Sequence, residues 1–264
     1  MDLSDYDAIF YLAMKKVRPK FLYKYRPINK HTLNMISECE AYFSLPIDFN
    51  DPFDCNIVPE FIYTAEEQKE FLSNLEKNEN ITQKEFDDLL NNPEVTLENA
   101  WIKTIENIRN NLRIFCLSEV NNNVMMYSHY ADSHKGICLE FLVSGDPFFD
   151  SLDYVRYPNT FPTFHPFHKD IQLIREELKE IEILTKSHSW CYEEEWRIIK
   201  DGPNPSNYKF SPHILSSVIF GFQTPNSDRS MIEKIVKNMT PSVKLQEAVK
   251  KNKSFELEIK PYVS

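Results

Sequence analysis

Glycine is scarce in this chain of 264 residues, which contains four of them. They are Gly136, Gly145, Gly202 and Gly221, and no two are close enough in sequence to form one phosphate-binding loop. Walker and Rossmann fingerprints need several glycines within a few residues, because only glycine lets the backbone approach the phosphates closely. The sequence therefore excludes both kinds of nucleotide-binding loop.

The CxxC and HxxxH spacings are also absent. The five cysteines lie far apart along the chain, and neither a CxxC nor an HxxxH spacing occurs. Since zinc sites are built from such spacings, we predict no metal site. Isolated cysteines in apolar stretches are typical of free thiols in a reducing compartment, so we predict a cytoplasmic protein.

Long apolar runs are missing too. The first five residues lack the charged region followed by an apolar run that marks a signal peptide. The longest apolar runs are too short to span a bilayer. The sequence therefore predicts a soluble protein without a signal peptide or a membrane span.

The chain has an excess of acidic residues, with a formal net charge of −10. A negative field argues against broad adhesion to nucleic acid or to an anionic membrane, although it leaves room for a local basic cleft. Hydrophobic residues make up 42 % of the chain and aromatic residues 13 %, which excludes a disordered protein. We predict one domain over residues 1–264.

The pattern of apolar residues predicts an α+β fold with a mixed or antiparallel sheet. Strands are predicted at 21–26, 113–117, 136–143 and 193–200, and a helix at 5–18. Residues 64–112 are polar with helical periodicity, which predicts three helices in an insertion. Strands and helices follow no regular βαβ order, and this favours α+β over a doubly wound sheet.

Several short motifs follow one another along most of the chain. They are 22–26 (LYKYR), 42–44 (YFS) with Pro46, 49–54 (FNDPFD), 115–119 (FCLSE), 128–132 (SHYAD), 135–141 (KGICLEF), and 192–193 (YE) with 195–197 (EWR). In these motifs the chain resembles a bacterial family known as domain of unknown function 2971, with Tyr127 where that family has Trp. The resemblance implies a link to phage-defence or abortive-infection loci for some members.

Three groups of polar residues on predicted strands are candidates for a site. Lys24 and Arg26 are two residues apart on one strand face, Ser118 ends a second strand, and Glu193 and Glu195 share a face of a third. This order is similar to that of ADP-ribosyltransferases. That resemblance implies a split sheet, NAD as substrate and an unknown macromolecular acceptor.

The same resemblance implies a role for each residue. Glu195, Glu193 and Ser118 are the candidate catalytic residues, and Lys24, Arg26, Tyr130 and Asn50 are the candidates for binding NAD. A cation suits the pyrophosphate, and a carboxylate suits the positive charge that develops on the ribose. The predicted function is that of an NAD-dependent ADP-ribosyltransferase or NAD glycohydrolase.

Structural alternatives exist for each candidate group. Glu193 and Glu195 can form ion pairs with Arg197 or Lys200, Ser118 can cap a strand end, and Lys24 and Arg26 can pair with carboxylates. His129 and His134 suit acid–base chemistry, but a hydrogen-bonded structural role is the more common one.

Two other functional classes stay open. A metal-dependent nuclease would use the carboxylate oxygens of Asp51, Asp54 and Glu140, together with those of Glu195, as metal ligands. The other class is a non-enzymatic sensor or partner-binding protein.

Overall fold

The computed structural model describes residues 16–75, 84, 87, 93–143, 145–167, 171–202, 207–239 and 241–263. Its strands are β1 (Phe21–Arg26), β2 (Glu40–Tyr42), β3 (Glu60–Phe61), β4 (Leu112–Ser118), β5 (Ile137–Leu142), β6 (Leu152–Tyr154), β7 (Thr163–Phe164), β8 (Glu195–Asp201), β9 (Asn207–Lys209), β10 (Leu215–Phe220), β11 (Lys244–Lys250) and β12 (Leu257–Pro261).

Eight of these strands form one sheet in the order β12-β11-β10-β5-β1-β4-β8-β6. All neighbouring pairs are antiparallel except β10 and β11, which are parallel. The other four strands pair as β2 with β9 and β3 with β7. The α+β class with a mixed sheet is therefore confirmed.

The helices lie between and beyond these strands. They are α1 (Lys30–Ser37), α2 (Ala65–Leu75), α3 (Pro93–Asn111), α4 (Val124–Tyr130), α5 (Ile171–Ile183) and α6 (Asn226–Lys237), with short 3-10 helices at Pro46–Asp48, Pro147–Phe149, His188–Glu193 and Pro212–Ile214. The predicted helical segment 64–112 contains α2 and α3. Most of its predicted middle helix falls outside the described residues, and so does most of the helix predicted at 5–18.

Two neighbouring strands at the centre of the sheet, β1 and β4, are paired over a very short stretch. Strands β1 and β5 are in register along the whole of β1, but β1 and β4 are in register only where Tyr23 lies opposite Ser118. From that point the two strands diverge and leave an opening between the halves of the sheet. The eight strands nevertheless belong to one sheet, so the fully split arrangement expected from the resemblance to ADP-ribosyltransferases is not seen among the described residues.

Alternating side chains along the strands bury both faces of the sheet. In β5, Ile137 and Leu139 belong to the largest core cluster, together with residues of α1 and α6, whereas Cys138 packs on the opposite face with Met126 and Tyr127 of α4. This follows from the two-residue period of a strand. Helix α4 packs on the Cys138 face of the sheet, and on that face it borders the opening between β1 and β4.

Candidate functional site

A cavity of about 310 Å³ lies where β1 and β4 diverge. One wall comes from 23–25 in β1 and another from Ile114, Cys116 and Leu117 in β4. The segment 48–50 and helix α4 complete the walls, and Lys186 with two glutamates supplies a polar end. The opening in the sheet is thus a cavity with two strand walls, which are mostly apolar apart from Lys24, and with one strongly charged end.

The charged end is a network of buried ionic side chains. The Lys186 ammonium donates to Glu193 Oε2 at 2.7 Å and to Glu195 Oε2 at 3.2 Å, and its nitrogen lies 3.3 Å from Asp54 Oδ2. Arg197 donates to Glu195 Oε1 through Nε and to both Asp54 oxygens through Nη2, each at 2.8 Å. Each buried charge therefore has an opposite charge within hydrogen-bonding distance, which is what burial of ions requires.

The two glutamates differ in electrostatic environment. Burial raises the pKa of the Glu195 carboxyl, but the charges of Arg197 and Lys186 outweigh this effect and hold that pKa well below its usual range. Burial also raises the pKa of the Glu193 carboxyl, and there the charge of Lys186 does not offset it. Glu195 is thus a fixed anion within the network, whereas Glu193 takes up a proton more readily.

Glu193 also contacts the wall formed by α4. The Tyr130 hydroxyl donates to Glu193 Oε1 at 2.7 Å, and the Asn50 amide lies 3.5 Å from the Tyr130 oxygen. Asn50 precedes the turn in which Asp54 reaches Arg197. This hydrogen-bonded chain joins the loop, the helix and the carboxylate at one end of the cavity.

Lys24 enters the cavity from β1. Its ammonium donates to the backbone carbonyl of Cys116 in β4 at 2.6 Å and lies 4.6 Å from the centre of the Phe115 ring. A side chain thereby bonds a strand carbonyl at a point where β1 and β4 have already diverged. Burial lowers the pKa of Lys24 to about 8.

Five of the seven candidate residues line this cavity, namely Lys24, Asn50, Tyr130, Glu193 and Glu195. Ser118 and Arg26 are not among its lining residues. The buried Ser118 hydroxyl donates to the Glu193 carbonyl at 2.5 Å and accepts from the Val120 amide at 3.1 Å, so it caps the end of β4. Arg26 donates to the hydroxyl of Thr32 in α1 at 3.4 Å.

The expected placement of Glu193 on a strand is wrong. Glu193 ends the 3-10 helix His188–Glu193, and Glu194 has a left-handed backbone with φ of 42° before β8 begins at Glu195. Two glutamates that a regular strand would place on one face therefore come from two elements. They meet because both bond Lys186, while Trp196 packs into the core on the opposite face as predicted.

The structural alternative for the glutamates is partly realised. Glu195 is ion-paired with Arg197, as one alternative predicted, and Lys186 rather than Lys200 supplies the second cation. Glu195 is therefore an ion-pair partner and a lining residue of the cavity at the same time.

The carboxylates of the nuclease hypothesis are not brought together. Asp51 accepts from the Phe53 amide, and Glu140 accepts from the Ser216 hydroxyl. Asp54 and Glu195 do lie close together, but Arg197 and Lys186 stand between their oxygens. Within the described part of the chain, no group of three or more His, Cys, Asp or Glu side chains is arranged to hold a metal ion.

The two candidate histidines are placed differently. His129 lines the cavity, and its ring lies near those of Tyr130 and Trp190. His134 stacks on Tyr127, and its Nε2 lies 3.0 Å from the Ser128 hydroxyl. His134 therefore has the hydrogen-bonded structural position that was the alternative for it.

Lys186 is the main residue that sequence reasoning missed. It follows α5, a helix rich in charged residues, and a lysine in such a segment is usually solvated. The apolar run Ile181, Ile183 and Leu184, all buried, is the one signal that the chain turns inward just before it. Nothing in the local sequence indicates which carboxylates Lys186 would meet.

Residues 126–198 match a family described as "Protein of unknown function (DUF2971)". This segment contains Tyr130, Lys186, Glu193, Glu195 and Arg197, and thus most of the ionic network. The match confirms the resemblance drawn from the sequence motifs. No curated protein and no solved structure matches the chain. Among the described helices, none is long and apolar enough to cross a membrane.

Proposed function

We propose that the protein is an NAD-dependent ADP-ribosyltransferase or NAD glycohydrolase whose active site is the cavity between β1 and β4. The observation that carries the proposal is the composition of this one cavity. It brings Lys24 from one half of the sheet together with Glu195 from the other half and with Glu193 from the 3-10 helix that precedes β8. A cation for a phosphate and a carboxylate for a ribose are the two groups that this chemistry needs.

The reaction breaks the bond between the nicotinamide nitrogen and C1 of the ribose. The bonding electron pair leaves with nicotinamide, and positive charge develops on the ribose. A carboxylate beside the ribose stabilises that charge in the transition state more than in the ground state, which accelerates the step. The acceptor then bonds to C1 and loses a proton; it is water in the glycohydrolase and a macromolecular group in the transferase.

The contacts of the two glutamates support different roles for them in the proposed reaction. Glu195 has both oxygens engaged by Lys186 and Arg197, which suits a role in holding those cations. Glu193 has one oxygen bonded to Lys186 and the other to the Tyr130 hydroxyl, a neutral partner. We therefore assign the carboxylate that faces the ribose to Glu193 and a positioning role to Glu195.

The remaining candidates fit the ends of a dinucleotide. The Lys24 ammonium is the cation proposed for a phosphate, and Tyr130 and Asn50 offer a hydroxyl and an amide for ribose hydroxyls. Arg26 and Ser118 have structural roles in this proposal, because Arg26 bonds Thr32 and Ser118 bonds the Glu193 backbone.

The cellular setting is part of the proposal. All five cysteines are free thiols, which suits a reducing cytoplasm. The proposed role in phage defence rests on the family resemblance.

Nicotinamide release from NAD tests the proposal. Purified wild type is compared with Glu193→Gln, with and without cell lysate as a source of acceptors. We expect release by the wild type and a loss of about 100-fold or more in the variant, because the amide carries no charge to stabilise the ribose. Glu60→Gln, at an exposed glutamate in β3, is the matched control and should retain full activity.

Two results would overturn the proposal. One is the absence of nicotinamide release by the wild type under every condition. The other is a Glu193→Gln protein that melts at the wild-type temperature and releases nicotinamide at the wild-type rate.

A further inference from the structure

The two lysines of the cavity have opposite surroundings. Lys186 lies within 3.3 Å of carboxylate oxygens from Asp54, Glu193 and Glu195. Lys24 forms no ion pair with a carboxylate in the described residues, and its nitrogen contacts a backbone carbonyl and the face of the Phe115 ring. The network thus keeps Lys186 as an ammonium ion and leaves Lys24 without an anionic partner.

The surroundings of Lys24 raise the fraction of its side chain that is present as the neutral amine. Burial lowers the pKa of Lys24 to about 8, and the charge of Arg26 acts in the same direction. Cys116, Glu195 and Glu193 act the other way without offsetting burial. At pH 7 about one Lys24 side chain in ten is then neutral, compared with fewer than about one in a thousand for an ordinary lysine.

We propose that Lys24 is a nucleophilic amine that forms a Schiff base with a small, uncharged aldehyde or open-chain sugar bound in the cavity between β1 and β4. The lining carries two ammonium groups, of Lys24 and Lys186, and four carboxylates, of Asp48, Asp54, Glu193 and Glu195. When Lys24 is the neutral amine, Lys186 is the one ammonium left among these groups, so the lining has no excess positive charge to attract an anionic carbonyl compound. This activity goes beyond cleavage of NAD, although both draw on the same lysine.

The step balances as an ordinary imine formation. The lone pair of neutral Lys24 Nζ attacks the carbonyl carbon, the C–N bond forms, and the oxygen takes up a proton to give a carbinolamine. The nitrogen then loses a proton and the carbon loses water, so that amine and aldehyde yield imine and water. Glu193, in the same cavity, is a carboxyl whose pKa is raised by burial and can exchange these protons.

Reductive trapping tests this proposal without any variant. The wild-type protein is incubated at pH 7 with glyceraldehyde and sodium cyanoborohydride, which delivers hydride to an imine and leaves a stable secondary amine. Peptide mapping by mass spectrometry then gives the labelling rate at each lysine. The lower pKa raises the neutral fraction of Lys24 about 300-fold, and the weaker nucleophilicity of a less basic amine reduces this advantage.

We expect Lys24 to be labelled about tenfold faster than Lys234, an exposed lysine in α6, and Lys186 to stay unlabelled. Labelling of Lys24 no faster than Lys234, or labelling of Lys186 in its place, would overturn the proposal. Lys24→Arg keeps a cation but cannot form an imine. The peptide map of this variant should therefore lack the fast labelling at position 24 and show the other lysines labelled as in the wild type. Since this measurement uses no NAD and the nicotinamide assay uses no aldehyde, the two proposals fail independently.

Discussion

Arg197 is fully buried in β8 and carries its charge in the interior. Its guanidinium bonds Glu195, both oxygens of Asp54 and the Ile183 carbonyl, the last at 2.6 Å. A planar group with five donors can satisfy such a set, which the single ammonium of a lysine cannot do with the same geometry. One side chain therefore connects the loop before Cys55, the end of α5 and the charged end of the cavity.

Loss of this guanidinium should destabilise the protein strongly. In Arg197→Met the side chain keeps its apolar bulk, but Asp54 and Glu195 become buried carboxylates with one cation between them. Removal of one partner of a buried ion pair costs about 3–5 kcal/mol, so we expect a decrease of that size in the free energy of unfolding. Urea denaturation followed by circular dichroism measures it.

Lys260→Met is the control for this change. Lys260 pairs with Glu258 on the surface of β12, and both side chains are more than a third exposed. Exposed pairs contribute about 0–1 kcal/mol. Equal losses in the two variants would show that the Arg197 network does not hold the fold together.

A buried charge pair and aromatic packing are among the contacts that join helix α3 to the rest of the molecule. Arg109 Nε donates to Glu182 Oε1 in α5 at 2.8 Å, and the Trp101 ring packs edge-on against Phe164 in β7. The Glu182 side chain is almost fully buried, and burial raises its pKa to about 7 although the charge of Arg109 acts against this. The contact between the two helices is therefore sensitive to pH.

The sign of this pH dependence follows from the raised pKa. The folded carboxyl binds its proton more tightly than the unfolded one, whose ordinary pKa is 4.5. The free energy of unfolding therefore falls as pH rises from about 4.5 to about 7. Between these two pH values we expect the free energy of unfolding of the wild type to fall by on the order of 3 kcal/mol relative to that of Glu182→Gln, whose amide cannot titrate.

Denaturation at several pH values measures this difference. The free energy of unfolding of Glu182→Gln should still fall with rising pH, because burial also raises the pKa of Glu177 to about 7. Glu66→Gln, at an exposed position of α2, should follow the wild-type curve. A Glu182→Gln curve parallel to that of the wild type would contradict the assignment.

At the scale of the whole molecule, the cavity depends on segments that are far apart in sequence. Lys24 comes from the first described strand, Asp54 from a loop, Tyr130 from α4, and Lys186 and Glu193 from the region before β8. The helical segment is connected directly to this assembly, since α3 ends at Asn111 and β4 begins at Leu112. We therefore expect the chain to unfold as one unit.

Coincident unfolding transitions would support a single domain. Trp101 is in α3, whereas Trp196 is in the sheet, so the fluorescence difference between wild type and Trp101→Phe reports on the helical segment alone. We expect its midpoint in urea to match that of the far-ultraviolet circular dichroism, as two-state unfolding requires. An earlier transition at Trp101 would show that residues 64–112 unfold separately.

Much of the fold could be predicted because it follows from local patterns. The alternation in 21–26 and the apolar runs at 113–117 and 136–143 correspond to β1, β4 and β5. The prediction failed at Glu193, since a left-handed Glu194 between two charged residues leaves no mark on the hydrophobic pattern. Backbone geometry at such a residue is decided by its tertiary contacts.

The α+β class, the family resemblance and five residues that line one cavity follow from the sequence alone. The tertiary structure was needed to show that β1 and β4 diverge, that Lys186 and Arg197 pair with the buried carboxylates, and that Lys24 has no carboxylate partner among the described residues. The physical reason is the distance along the sequence over which each effect acts. Periodicity acts between residues a few positions apart, whereas the ionisation of a buried group depends on charges brought next to it from distant parts of the chain.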